Sequence, residues 1–184
     1  MWCRCETRKL VVDRSSEVSP ATFRSNIVFS AEDSQSFRPW VPLDKYLVRT
    51  SWARIMKNAT DSGVALLLLF FKKYPQHKEL FPFKDVPHDE LSTNKRFRAH
   101  ASSVVFALAS IVDALNDNDL LVQLLIKTGS THKPRDVTAD GFKHLNEVTI
   151  ELFSSIMKPD EVEAWKKTLG VAFGVILKGL AEAP

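Results

Sequence analysis

A chain of 184 residues can bury a sizeable core as one domain. Its net charge is only +3, and basic pairs such as Lys72-Lys73, Lys95-Arg96 and Lys166-Lys167 lie near acidic residues, so no nucleic-acid-binding face is expected. The only cysteines are Cys3 and Cys5, which excludes a disulfide framework for the body of the protein and fits a reducing, cytoplasmic compartment. The longest apolar run, Val64 to Phe71, falls far short of the ~20 residues of a membrane helix, and the first thirty residues hold no secretory apolar stretch.

Residues 1–41 form a distinct regime. Seven serines fall between Ser15 and Ser36, charges of both signs alternate, and Pro20 and Pro39 interrupt what remains. Such a segment buries too little surface to offset its ordering entropy, so it reads as a disordered extension in which Cys3 and Cys5 are inert thiols. The folded domain is expected over 42–184.

From Leu43 a helical period begins. Asp44 is placed to cap a helix whose stripe is Leu47, Val48, Trp52 and Ile55. Thr60-Asp61-Ser62 are candidate caps for a second helix reaching Tyr74, and Gly63 in its first turns suggests that another helix crosses at close range. Pro75 starts a short helix, and Pro82 biases Phe81 away from helical geometry. A polar connector, Lys84 to Leu91, precedes a helix opened by Ser92 or Thr93, with Phe97, Ala101, Val104, Val105, Leu108, Ile111 and Val112 on one side. His100 lies on that side. After Asn116-Asp117-Asn118-Asp119, a further helix carries Leu121, Leu124, Leu125 and Thr128, with His132 one turn beyond; Pro134 stops it. Thr138 and Pro159 open two last helices, with Phe142, Leu145, Val148, Leu152 and Ile156 inward on the first. Val162, Trp165, Leu169, Phe173, Ile176 and Leu180 turn inward on the second. No segment alternates over a strand's length, so the fold class is all-α.

Two histidines on apolar stripes require partners, because an unpaired buried imidazole costs roughly 1–3 kcal/mol. A metal satisfies one ring nitrogen and a backbone carbonyl the other. Zinc needs three or four protein ligands, and no cysteine or carboxylate cluster completes such a set. Haem needs only one axial histidine and a large apolar slot. His77, His88 and His144 lie off the stripes and are expected at the surface.

Phe81, His100, Val104 and His132, in this order on helices of these lengths, resemble the globin family, with Trp52, Gly63 and Pro75 at matching places. The strings Phe81-Pro82-Phe83-Lys84-Asp85-Val86-Pro87 and Arg96-Phe97-Arg98-Ala99-His100-Ala101 look most like insect and other arthropod intracellular globins. The resemblance implies an eight-helix, three-on-three sandwich around haem b. It implies His132 as the proximal and His100 as the distal metal ligand. Phe81 would wedge the porphyrin, with Leu67, Phe71, Val104 and Phe142 walling the pocket. Gly63 and Ala101 would mark a helix crossing, Thr131 and the Thr128 carbonyl would orient His132, and Arg135 would meet a propionate. Thr128 itself stands where an apolar residue is more usual.

The implied function is reversible binding of dioxygen and other diatomic gases at ferrous haem, for intracellular oxygen storage or transport. The alternative is a six-coordinate redox or signalling globin, a nitric-oxide dioxygenase, nitrite reductase or reactive-oxygen scavenger fed by an external reductase. Oligomeric state is not legible in the sequence.

Overall fold

The computed structural model describes residues 42–183; the expectations for 1–41, Cys3 and Cys5 included, lie outside the described residues. Among the described residues six α-helices form: α1 Pro42–Ile55, α2 Ala59–Lys73, α3 Lys95–Asp113, α4 Asn118–His132, α5 Ala139–Ile156 and α6 Pro159–Glu182. Two short 3-10 helices, Pro75–Leu80 and His88–Thr93, bring the plan to eight, and 3-10 turns at Met56–Asn58, Ala114–Asn116 and Lys133–Arg135 join neighbours. No strand occurs among the described residues. The principal packings are α4 on α6, α2 on α3, α5 on α6 and α1 on α6.

Several helix starts differ from the sequence expectation, and each difference has a local cause. Pro42 already occupies the first turn of α1, so Asp44 lies inside the helix, buried, where its carboxylate accepts from the Lys167 ammonium at 3.1 and 3.2 Å. At α2 the chain enters from Asn58 without a side-chain cap. Ser62 instead donates to the Ile55 carbonyl, and Asp61 pairs with Arg98 at 3.0 Å. Neither Ser92 nor Thr93 opens α3. The Asn94 side chain does, accepting from the amides of Arg96 and Phe97 at 3.0 and 3.1 Å. Asp117 likewise caps α4 through the Leu120 amide at 3.0 Å. Thr138 takes the cap position of α5 with its backbone alone.

The polar connector proves to carry core. Phe83 is 2% and Leu91 0% exposed, because the turn from Phe81 and the 3-10 segment fold them under α3. Ile156, expected inward, is 53% exposed: α5 ends there, Met157 is extended, and Phe153 fills the inward place. All six stripe residues of α6 are buried. Trp165 anchors them, donating its indole N–H to Ser51 at 2.9 Å and packing on Trp52 and Phe153. At the start of α6, buried Glu161 accepts two N–H groups of Arg54 at 3.0 and 2.6 Å, which hold its carboxyl below the usual range.

The segment Lys95–Asn116 is long and apolar enough, by composition, to cross a bilayer. Here it is a core helix: Phe97, Ala101, Val105, Leu108, Ile111 and Val112 are buried within the domain. Gly63 meets it at the anticipated crossing. A Cβ on Gly63 would lie 2.3 Å from the Ala101 carbonyl oxygen, so glycine is required by close approach.

Candidate functional site

His132 is the last residue of α4. Its Nδ1–H donates to the Thr128 carbonyl at 2.7 Å. A carbonyl has no proton to give, so this bond fixes the tautomer and leaves the Nε2 lone pair open. Among the described residues nothing hydrogen-bonds that nitrogen. The Phe142 ring meets the imidazole edge-on at 5.2 Å. Both residues line an apolar cavity between α3, α4, α5 and α6, with Val104, Leu108, Leu125 and Phe173 among its walls. It holds about 550 Å³ of space between atoms, counting the part open to solvent.

His100, half-buried on α3, touches aromatic rings: Phe81 at 4.9 Å and Phe83 at 6.5 Å. None of its ring nitrogens hydrogen-bonds a described residue. Burial, then the neighbouring His132, pushes its pKa down, so the ring is neutral near pH 7. Phe81 leads back through Phe71, 5.2 Å away, into the α2 core, where Leu67 is also buried.

The remaining candidates sit elsewhere. Thr131 is exposed, and its hydroxyl donates to the same Thr128 carbonyl that His132 uses, at 3.1 Å, rather than to the imidazole. Arg135 is exposed and its guanidinium donates to the Thr131 carbonyl. Sequence reasoning placed Leu108, Leu124, Leu125, Leu145, Phe173 and Ile176 in helical stripes without assigning them to the cavity they line. Periodicity marks an inward face, not what that face encloses.

Residues 64–176 match the family model described as Globin. A globin of Nerita albicilla is 31% identical over 137 residues, covering 72% of this chain and 87% of its own. Cytoglobin-1 of Oryzias latipes is 29% identical over 141 residues, covering 73% and 80%. The solved hexa-coordinate hemoglobin of Drosophila melanogaster superposes with a TM-score of 0.71 at 29% identity, covering 75% of this chain and 94% of that one.

The chain is a globin. Its likeness is shared about equally between the Drosophila protein and the Nerita and Oryzias ones, so the insect resemblance widens to the family at large. Its cofactor is haem b. The donor set fits: an unpaired imidazole nitrogen at the wall of an apolar slot is the ligand that haem iron takes. Among the described residues no cluster of three His, Cys, Asp or Glu side chains forms a separate metal site.

Two histidines of this globin are not the free surface residues expected. His77 Nε2 and His144 Nδ1 share a hydrogen bond at 2.9 Å, joining the 3-10 helix Pro75–Leu80 to α5. His77 stacks on Phe70 at 5.2 Å and His144 on Tyr74 at 3.9 Å. Tyr74 donates to Glu147, which also pairs with Lys73 at 2.7 Å. Burial first, then His144, lowers the pKa of His77, while Asp140 opposes them. A histidine whose folded pKa is depressed contributes stability that is present above its unfolded pKa of about 6.5 and is lost as pH falls through the lower folded pKa. His77→Phe keeps the stack but not the bond. Its melting temperature should fall ~2–4 °C below the parent's at pH 7.5, as for one partly exposed hydrogen bond. The gap should narrow as pH falls below about 6.5; a gap that widens on acidification would refute the assignment.

Proposed function

We infer that this globin is a cytoplasmic haem protein that reversibly takes up dioxygen and other diatomic gases for intracellular oxygen storage or transport. One observation carries it: His132 has its Nδ1–H committed to the Thr128 carbonyl and its Nε2 unpaired on an apolar cavity. When bound, haem b would supply an iron atom that takes a protein nitrogen and binds a diatomic gas. His132 would provide that nitrogen as the proximal ligand, its basicity raised and its ring fixed by the bond to the Thr128 carbonyl. Neutral His100, the distal residue, keeps one N–H to donate to a polar diatomic ligand. Phe81, Leu67, Phe71, Val104 and Phe142 keep water out. Thr131 acts only through the shared Thr128 carbonyl, and the N–H groups that Arg135 does not give to Thr131 are available to a propionate.

A hydrogen bond to a partly charged group contributes roughly 1–3 kcal/mol, and 1.4 kcal/mol is tenfold. His100→Leu should therefore speed dioxygen release by about 10- to 100-fold, measured by stopped-flow with a dioxygen scavenger. An unchanged rate would remove His100 from the function.

A second reading rests on the unpaired nitrogens of His100 and on the hexa-coordinate Drosophila relative. His100 would then be a second protein ligand to the iron, and the protein would serve redox or signalling chemistry with an external reductase, as a nitric-oxide dioxygenase, nitrite reductase or reactive-oxygen scavenger. The deoxy ferrous spectrum separates the two: one broad visible band supports the first, a split band the second.

A further inference from the structure

Gly129 and Gly179 are the other glycines that a close approach requires. A Cβ on Gly129 would lie 2.1 Å from the Ile176 carbonyl oxygen and 2.6 Å from the Leu180 amide nitrogen. One on Gly179 would lie 2.4 Å from the Ile126 carbonyl oxygen and 2.7 Å from its Cα. The contact is reciprocal: each helix presents a bare backbone to the backbone of the other. By contrast, Gly170 and Gly174 on the same α6 face nothing within 4 Å.

This crossing lies one turn before His132 and directly beside Thr128. Helix α6 is 24 residues long and fixed in the core along its whole length by Trp165, Leu169, Phe173, Ile176 and Leu180. A glycine inside α4 weakens its helix propensity, and α4 is too short to be stable by itself. Its last turns are therefore placed by what they rest on. The path runs from the α6 backbone through Gly129 to the Thr128 carbonyl, and from that carbonyl to the His132 ring at 2.7 Å.

We propose that Gly129 and Gly179 are positioning residues for His132, holding the end of α4 in backbone contact with α6 so that the imidazole's place is set by α6. The proposal rests on the reading of His132 as the proximal ligand. A methyl group at either glycine meets backbone, which cannot rotate aside, so α4 must move outward by about 1 Å to restore ordinary contact and His132 must move with it.

The test uses holoprotein carrying Gly129→Ala, Gly179→Ala or, as control, Gly170→Ala. Two quantities are read: the His132 Nδ1–H proton signal in the diamagnetic carbon-monoxide form, and the rate of hemin transfer to excess acceptor apoprotein. In both crossing variants the proton signal should shift and hemin loss should be about tenfold faster or more, the range for disturbing a ligand's supporting partner. The control should match the parent in both. A shifted signal with unchanged hemin loss upholds the crossing and removes His132 as the ligand. An unchanged signal overturns the crossing's role, even if the variants melt earlier. Should neither alanine variant fold, amide exchange of the parent decides. Protection of residues 128–132 equal to that of 176–180 supports the clamp, and exchange about 100-fold faster in 128–132 overturns it.

Discussion

His132→Ala should cost this globin its hold on the cofactor, with hemin affinity falling on the order of 100-fold or more. Disturbing a metal ligand's outer partners already costs about 10- to 100-fold, and removing the ligand atom removes everything those partners support. The apolar walls remain, so some non-specific hemin binding will survive and the fold should persist. The loss of one half-buried ring at the end of α4 leaves the α4–α6 contact intact. What should disappear is the spectroscopic signature of an imidazole on iron. The measurement is a titration of the apoprotein with hemin, followed in the Soret region beside the parent. Equal affinity with an unaltered Soret band would show that His132 does not bind the iron. Because Phe142 packs edge-on against His132 at 5.2 Å and the Thr128 carbonyl loses one of its two side-chain donors, small changes in melting temperature are expected whatever the ligand. Only the spectral outcome discriminates.

Much of the fold was legible because it rests on periodicity. The stripes on α3, α4, α5 and α6 recur at three- and four-residue steps, and such spacing admits one inward face. The same logic singled out His100 and His132 as imidazoles on apolar faces. Cap positions were harder to read, since Ser92, Thr93 and Asn94 all suit the role in isolation. Which of them serves depends on where the 3-10 segment His88–Thr93 delivers the chain, and that is set by burying Leu91. Ile156 fits the period of α5 but lies in its final turn, where the chain swings away towards Pro159 and no neighbour covers it. The His77–His144 bond joins residues 67 apart on elements of different kind, and no local pattern encodes it. Gly63 was readable as a crossing because a glycine in an otherwise leucine-rich helix has few other uses. Gly129 was hidden, for its partner is a second glycine fifty residues on.

Gly63→Val should produce the largest loss of stability among substitutions remote from the iron. A first added carbon would sit 2.3 Å from the Ala101 carbonyl oxygen, 2.8 Å from its carbon and 2.9 Å from Val105 Cγ2. Two of those atoms are backbone of α3, so relief requires α2 and α3 to separate. Between them they carry Leu66, Leu67, Phe70, Phe71, Phe97, Ala101 and Val105, all buried. Separation opens that whole layer. Against this stands the propensity gain on replacing glycine in a helix, at most about 1 kcal/mol and less for a β-branched residue. Overpacking of this kind costs ~1–3 kcal/mol, more when backbone must move. A net loss of about 3 kcal/mol corresponds to a melting temperature lower by ~6–12 °C in a domain of this size. Gly174→Ala, in open space, should raise it by a degree or two through propensity alone. Since α3 carries His100, the shift should also alter dioxygen release in Gly63→Val while leaving Gly174→Ala at the parent's rate. Thermal melts of the three carbon-monoxide forms, with release kinetics on the same preparations, test the pair. If Gly63→Val melts within a degree of the parent, α2 and α3 cannot be in the backbone contact described, and His100 must be placed some other way.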